Sequence, residues 1–209
     1  RNIHQFKPHG EHLAKRGMVG VIADYRAKGT YGGEPYDCVA DAKSAMRWVR
    51  ANAAQLGIDP DQIAAGGGSA GGHLAAATGT LPGLDDPSDD QAVSCVPNAL
   101  LLFNPVYDNG PENGWGHSRV KDRWQEISPA HNLSAKTPPT IVFLGSEDKL
   151  IPVSVAERYK ATMEKHGVRS DLHVYEGEGH GFFNRGEALP DTIAKMDAFL
   201  VELGFLVAE

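Results

Sequence analysis

The 209-residue sequence predicts an α/β fold with a mainly parallel sheet flanked by helices, and three observations predict it. Short apolar runs alternate with amphipathic stretches long enough to serve as crossovers. Apolar residues are continuous in the former and recur at three- and four-residue steps in the latter. No apolar run approaches the roughly 20 residues that cross a bilayer, so the runs read as buried strands.

In chain order, residues 6–16 read as a helix stopped by Gly17, and residues 18–25 (MVGVIADY) as a buried strand. Residues 29–35 are a turn-rich loop. Residues 36–56 are the strongest helical stretch, with Val39, Ala42, Ala45, Met46 and Val49 on one face and Gly57 closing it. A short strand is expected at 62–66, a glycine-rich turn at 66–69 and a helix at 70–80. The acidic, proline-containing stretch 83–91 reads as a solvated loop, a calcium loop being the other reading. After a strand at 99–104, residues 105–136 are long and irregular, as expected of a lid or cap over a pocket. A strand at 140–145, a helix at 153–166, a strand at 172–176, a loop at 177–184 and a helix at 192–203 complete five strands in one domain spanning 1–209.

Composition excludes several function classes. Twenty basic against 27 acidic residues give a net charge of −7, which argues against a nucleic-acid binder. Two cysteines, Cys38 and Cys95, exclude a disulfide scaffold and a cysteine-rich zinc module, and allow at most one bridge. His4, His9 and His12 are joined by no acidic or cysteine ligand set, so a solvated helix face is expected and no metal.

Chemistry concentrates at Gly66–Gly72, where Gly67, Ser69 and Gly71 spell G-x-S-x-G between an expected strand and an expected helix. In that setting a serine sits on a sharp turn with its hydroxyl exposed above the sheet. The helix N-terminus beneath favours developing negative charge, and the N–H of Ala70 can donate to an oxyanion. Phosphate binding is the competing use of such a turn, but neither a P-loop Gly-Lys-Ser/Thr nor a suitably placed acidic residue accompanies it. A serine hydroxyl needs a base. Asp148 follows the strand at 140–145 and His180 follows the strand at 172–176, in the order serine, acid, histidine. All three stand where parallel strands end, the end at which α/β sheets gather their reactive groups. Glu147 competes for the acid's role; His73 and His173 read as structural. Tyr31, Tyr107, Trp115 and Phe182, with Trp124, are candidates to wall an acyl or alcohol pocket.

At these residues the chain resembles the α/β-hydrolase superfamily, and within it the bacterial branch of acetyl esterases, hormone-sensitive-lipase-like enzymes and feruloyl or acetylxylan esterases. The similar segments are residues 20–26 (GVIADYR), 41–49 (DAKSAMRWV), 56–72 (LGIDPDQIAAGGGSAGG), 138–152 (PPTIVFLGSEDKLIP) and 175–183 (YEGEGHGFF). The resemblance implies an α/β-hydrolase fold and a Ser69–Asp148–His180 triad without cofactor. It further implies hydrolysis of short-chain esters, with acetyl or feruloyl esters of plant polysaccharide as one substrate class, and an extracytoplasmic location. A serine peptidase of the same fold and a non-catalytic hydrolase-fold binding protein are the alternatives. The family's His-Gly-Gly-Gly-like oxyanion stretch has no counterpart here; His9-Gly10 lies within the following helix. The expectation is therefore an N-terminally truncated fold lacking the strand between residues 18–25 and the nucleophile strand. Either a gap opens there or the two strands pair directly, and a second copy of the chain is a natural cover for the open edge.

Overall fold

Four parallel strands carry the fold of the computed structural model, which describes residues 4–112 and 114–208. The elements are α1 (Lys7–Lys15), α2 (Lys28–Tyr31), α3 (Pro35–Ala51), α4 (Ala53–Leu56), β1 (Ala64–Gly68), α5 (Ala70–Thr80), β2 (Ala99–Phe103), α6 (His117–Val120), β3 (Thr140–Gly145), α7 (Val153–Lys165), β4 (Ser170–Tyr175) and α8 (Ala188–Glu202). Short 3₁₀ turns lie at Lys121–Glu126, Pro129–His131 and Phe182–Asn184. The strands pair in chain order, β1-β2-β3-β4, each parallel to the next.

Both sheet faces are covered, which is why β2 and β3 read as unbroken apolar runs. Leu100, Leu102, Val142 and Leu144 face one way, onto Met46 and Val49 of α3, Ala75 and Ala76 of α5 and Tyr159 of α7. Leu101, Phe103, Ile141 and Phe143 face the other, onto Met196, Phe199 and Leu200 of α8. At the head of α3 the Asp37 carboxylate accepts the N–H of Glu34, closing a capping box.

Three expectations are corrected. Residues 18–25 are not a strand, so among the described residues the sheet has four strands and not five. The segment runs past β1 without pairing to it, and Val19, Val21 and Ile22 are about half exposed. A cleft of about 460 Å³ lies between the two, walled by residues of both, by Met46 and by His9. A strand needs a bonded neighbour within about 5 Å, and among the described residues β1 pairs only with β2. The helix expected over 36–56 breaks at Asn52, whose side-chain amide donates to the Trp48 carbonyl. The loop at 83–91 is only partly solvated: Arg47 of α3 pairs with Asp85 at 2.6 Å and Asp89 at 3.2 Å, and buried Lys43 donates to the carbonyls of Leu81 and Gly83. Cys38 and Cys95 are both buried and unbridged. None of the described helices is long and apolar enough to cross a membrane.

Candidate active site

Each of the four strands delivers one polar residue at its carboxyl end: Ser69 after β1, Asn104 after β2, Asp148 after β3 and His180 beyond β4. Ser69 has φ 53° and ψ −117°, a conformation few L-residues tolerate, and it forms the turn from β1 into α5. Gly67 and Gly72 are required by contact. A Cβ on Gly67 would fall 2.5 Å from the backbone of Gly71, and one on Gly72 would meet Pro105 at 2.9 Å. The turn is held by the Ser69 N–H donating to the Phe103 carbonyl at 2.9 Å, while the Ser69 carbonyl accepts from His73 at 3.0 Å and Val106 at 3.3 Å.

Asp148 is oriented by backbone. Its Oδ1 accepts the N–H groups of Leu150 (2.8 Å) and Ile151 (3.2 Å), leaving Oδ2 to face His180 Nδ1 at 2.7 Å. The carboxylate side chain is fully buried, whereas His180 keeps about a quarter of its side chain exposed. A carboxylate opposite Nδ1 places the ring proton there, so Nε2 presents its lone pair to Ser69 Oγ, 2.9 Å away. The three side chains selected from sequence thus form one continuous chain of hydrogen bonds. Glu147 is exposed, and its backbone N–H donates to the Glu178 carbonyl at 2.9 Å.

Ala70, the residue after Ser69, lines a cavity of about 610 Å³ together with His73, Val106, Asn109, Trp115 and Arg119. As the first residue of α5, Ala70 has no carbonyl within its own helix to receive its N–H. His73 is buried and bonds the Ile127 carbonyl at 2.7 Å through Nε2; burial lowers its pKa and keeps it neutral. His173 stacks on Phe143, and burial lowers its pKa as well. His9 is buried and His12 bonds Asp197 at 2.7 Å, so the expected solvated face is not what these two form.

Of the expected pocket aromatics, Trp115 lines the cavity with the Arg119 guanidinium over its ring. Tyr107 does not: it is fully buried and stacked on Tyr159, 4.6 Å between centroids, because the chain turns inward after β2. Phe182 packs against Tyr175 in the core beneath α8, and Tyr31 lies outside the cavity wall, its hydroxyl on Asp24. Trp124 packs on His131. Sequence reasoning missed Asn104 and Asn109. Asn104 stood in plain view at a strand end before a proline, but nothing in the sequence says what its amide meets.

An esterase from Thermogutta terrifontis, solved with propionate bound, superimposes at a TM-score of 0.93 with 43% identity, over 99% of this chain and 80% of its own. The chain belongs to the α/β-hydrolase esterases. Another structure of that Thermogutta esterase, described as phosphorylated by paraoxon, gives a TM-score of 0.92 at 44% identity, covering 99% of this chain and 79% of its own. The BD-FAE family matches residues 2–98 and the prolyl oligopeptidase family matches residues 92–204. A probable carboxylic ester hydrolase, LipM, of Mycobacterium tuberculosis is 31% identical over 74% of this chain. An acetylxylan esterase of Xylanibacter ruminicola is 27% identical over 87% of it. This α/β-hydrolase chain spans 39% and 38% of the lengths of those two relatives.

Proposed function

We propose that this α/β-hydrolase is a serine carboxylester hydrolase that forms an acyl-enzyme on short-chain esters. The observation that carries the reading is the unbroken line Asp148–His180–Ser69, whose last member is followed by Ala70 in the wall of the 610 Å³ cavity.

Ser69 Oγ attacks the ester carbonyl carbon as its proton passes to His180 Nε2. The buried Asp148 carboxylate stabilises the imidazolium that results. The carbonyl oxygen takes up the negative charge, faced by the Ala70 N–H and the positive end of the α5 dipole. Collapse of the tetrahedral intermediate breaks the bond to the alcohol oxygen, which receives the proton from His180. Water then repeats the sequence: it gives a proton to His180, attacks the acyl carbon, and frees the acid and Ser69.

The cavity's size is that of a small-molecule site. Val106, Trp115, Val120 and Ile127 supply apolar wall, and all come from residues 105–136, which supports that segment as a cap within a single domain. Its relatives, among them an esterase solved with propionate bound and an acetylxylan esterase, support a short acyl group and make an acetyl ester on a polysaccharide the finer reading. The prolyl oligopeptidase match over residues 92–204 keeps a peptidase reading in view. The unpaired edge of β1 beside half-exposed Val19, Val21 and Ile22 supports a homo-oligomer, for which sedimentation of the purified chain is the test.

Hydrolysis of p-nitrophenyl acetate and butyrate, with a peptide p-nitroanilide alongside, tests the function. Both esters are expected to turn over and the anilide is not. Ser69→Ala should lose turnover and covalent labelling by a fluorophosphonate together; labelling that survives in Ser69→Ala sinks the assignment.

A further inference from the structure

We propose that Asn104 is a positioning residue that holds His180 in its neutral, proton-accepting form and aims it at Ser69; the proposal rests on the triad reading above. Asn104 is completely buried and adopts φ 35°, a left-handed conformation that asparagine tolerates better than other side-chain-bearing residues. Its backbone N–H donates to the Phe143 carbonyl of β3 at 2.7 Å, so the residue is pinned across the sheet between the strands that deliver Ser69 and Asp148.

The amide's orientation is settled by its partner. Oδ1 accepts the backbone N–H of Gly181 at 2.8 Å, and a backbone N–H can only donate. Nδ2 therefore faces the other way, 3.5 Å from His180 Nε2. One side chain thus ties down the residue next to the histidine and turns an N–H toward the nitrogen that must accept the serine proton. With Nε2 unprotonated, the Asn104 N–H faces a lone pair. With Nε2 protonated, two N–H groups face one another, which disfavours the imidazolium before substrate is bound and favours handing its proton to the leaving oxygen.

The groups that bear on His180 are few. Asp148 holds Nδ1 from the loop after β3, Ser69 lies on Nε2 from the β1–α5 turn, and Asn104 comes from the end of β2. Glu147 and Glu178 sit on the two loops that meet beside it and join through their backbones. Ser69 and Asn104 are both uncharged donors on the Nε2 side, and Asn104 is the one that forms no bond to substrate, so its replacement reads out on that nitrogen's ionisation.

The test is the pH dependence of kcat/KM for p-nitrophenyl acetate in wild type, Asn104→Asp and Asn104→Gly. Asn104→Asp retains an acceptor for Gly181 but puts negative charge opposite Nε2. Asn104→Gly removes the amide while allowing the positive φ, so it remains informative if the buried charge of Asn104→Asp prevents folding. Both are expected to move the acid limb to higher pH, Asn104→Asp by about one unit or more. Asn104→Gly is expected to lose about 10- to 100-fold in kcat with KM within threefold of wild type. A folded Asn104→Gly whose acid limb superimposes on wild type overturns the proposal, whether or not kcat falls. Wild-type turnover and its loss in Ser69→Ala are measured in the same series, so failure of the triad reading is separately visible.

Discussion

His9→Leu should make the protein less sensitive to acid. His9 is 3% exposed, packed among the rings of Phe6, Phe103 and Phe183, and neither ring nitrogen has a hydrogen-bond partner among the described residues. Burial, with the neighbouring His12 adding to it, lowers its pKa from 6.5 to about 4. The unfolded chain therefore binds a proton that the folded chain refuses between those values. Stability is fully present above pH 6.5 and falls as pH drops toward 4. The gap corresponds to about 3 kcal/mol in full, of which about 2 kcal/mol is lost between pH 7 and pH 5. In urea denaturation, with a slope of roughly 2–3 kcal/mol per molar, that is a midpoint drop of roughly 0.7–1 M. His9→Leu removes this component and relieves two unpartnered buried nitrogens. Its midpoint at pH 7 should equal or exceed that of wild type, and its fall to pH 5 should be smaller by about 2 kcal/mol. The comparison of differences cancels the paired carboxylates and His73, which titrate in both proteins. Parallel pH dependence in the two proteins would refute the assignment of His9 as a buried neutral histidine.

Asp148→Asn should keep the fold and lose about ten-thousandfold in kcat: the Leu150 and Ile151 N–H groups hold the amide oxygen, so its NH₂ faces Nδ1 and forces the wrong tautomer on His180, as ester turnover and a melting curve together will record. Gly145→Ala would drive a Cβ to 2.2 Å from the Glu178 carbonyl and push the His180 loop outward; turnover should fall far more than thermal stability. Arg47→Met removes the guanidinium that Asp85 and Asp89 share and leaves Asp85 the Lys43 ammonium at 3.6 Å; urea denaturation should register a loss of about 2 kcal/mol, below the value for a fully buried pair because both carboxylates are partly exposed. Trp115→Ala widens the cavity and should shift the butyrate-to-acetate ratio of kcat/KM upward by about tenfold.

Much of the fold and site was legible in the residues because its causes are local. Continuous apolar runs at β2 and β3 follow from burial on both faces, and Gly67 and Gly72 follow from a turn too tight for a Cβ at either position. The order serine, acid, histidine at strand ends points to the three side chains that meet at 2.9 and 2.7 Å. Asp148 over Glu147 was a matter of which carboxylate the turn after β3 points inward, and only the Leu150 and Ile151 N–H groups decide that. Residues 18–25 carry every local mark of a strand and are not one, since pairing depends on what lies alongside. Tyr107 and Phe182 were chosen as pocket walls for their chemistry, but which way an aromatic faces after a strand end is set by the packing of α7 and α8. Asn104 marks the same boundary. The sequence determined which residues can do the chemistry, because reactivity belongs to the side chain and its immediate turn; the tertiary structure decided which of them touch, because contact across four strands is a property of the sheet and of no single segment.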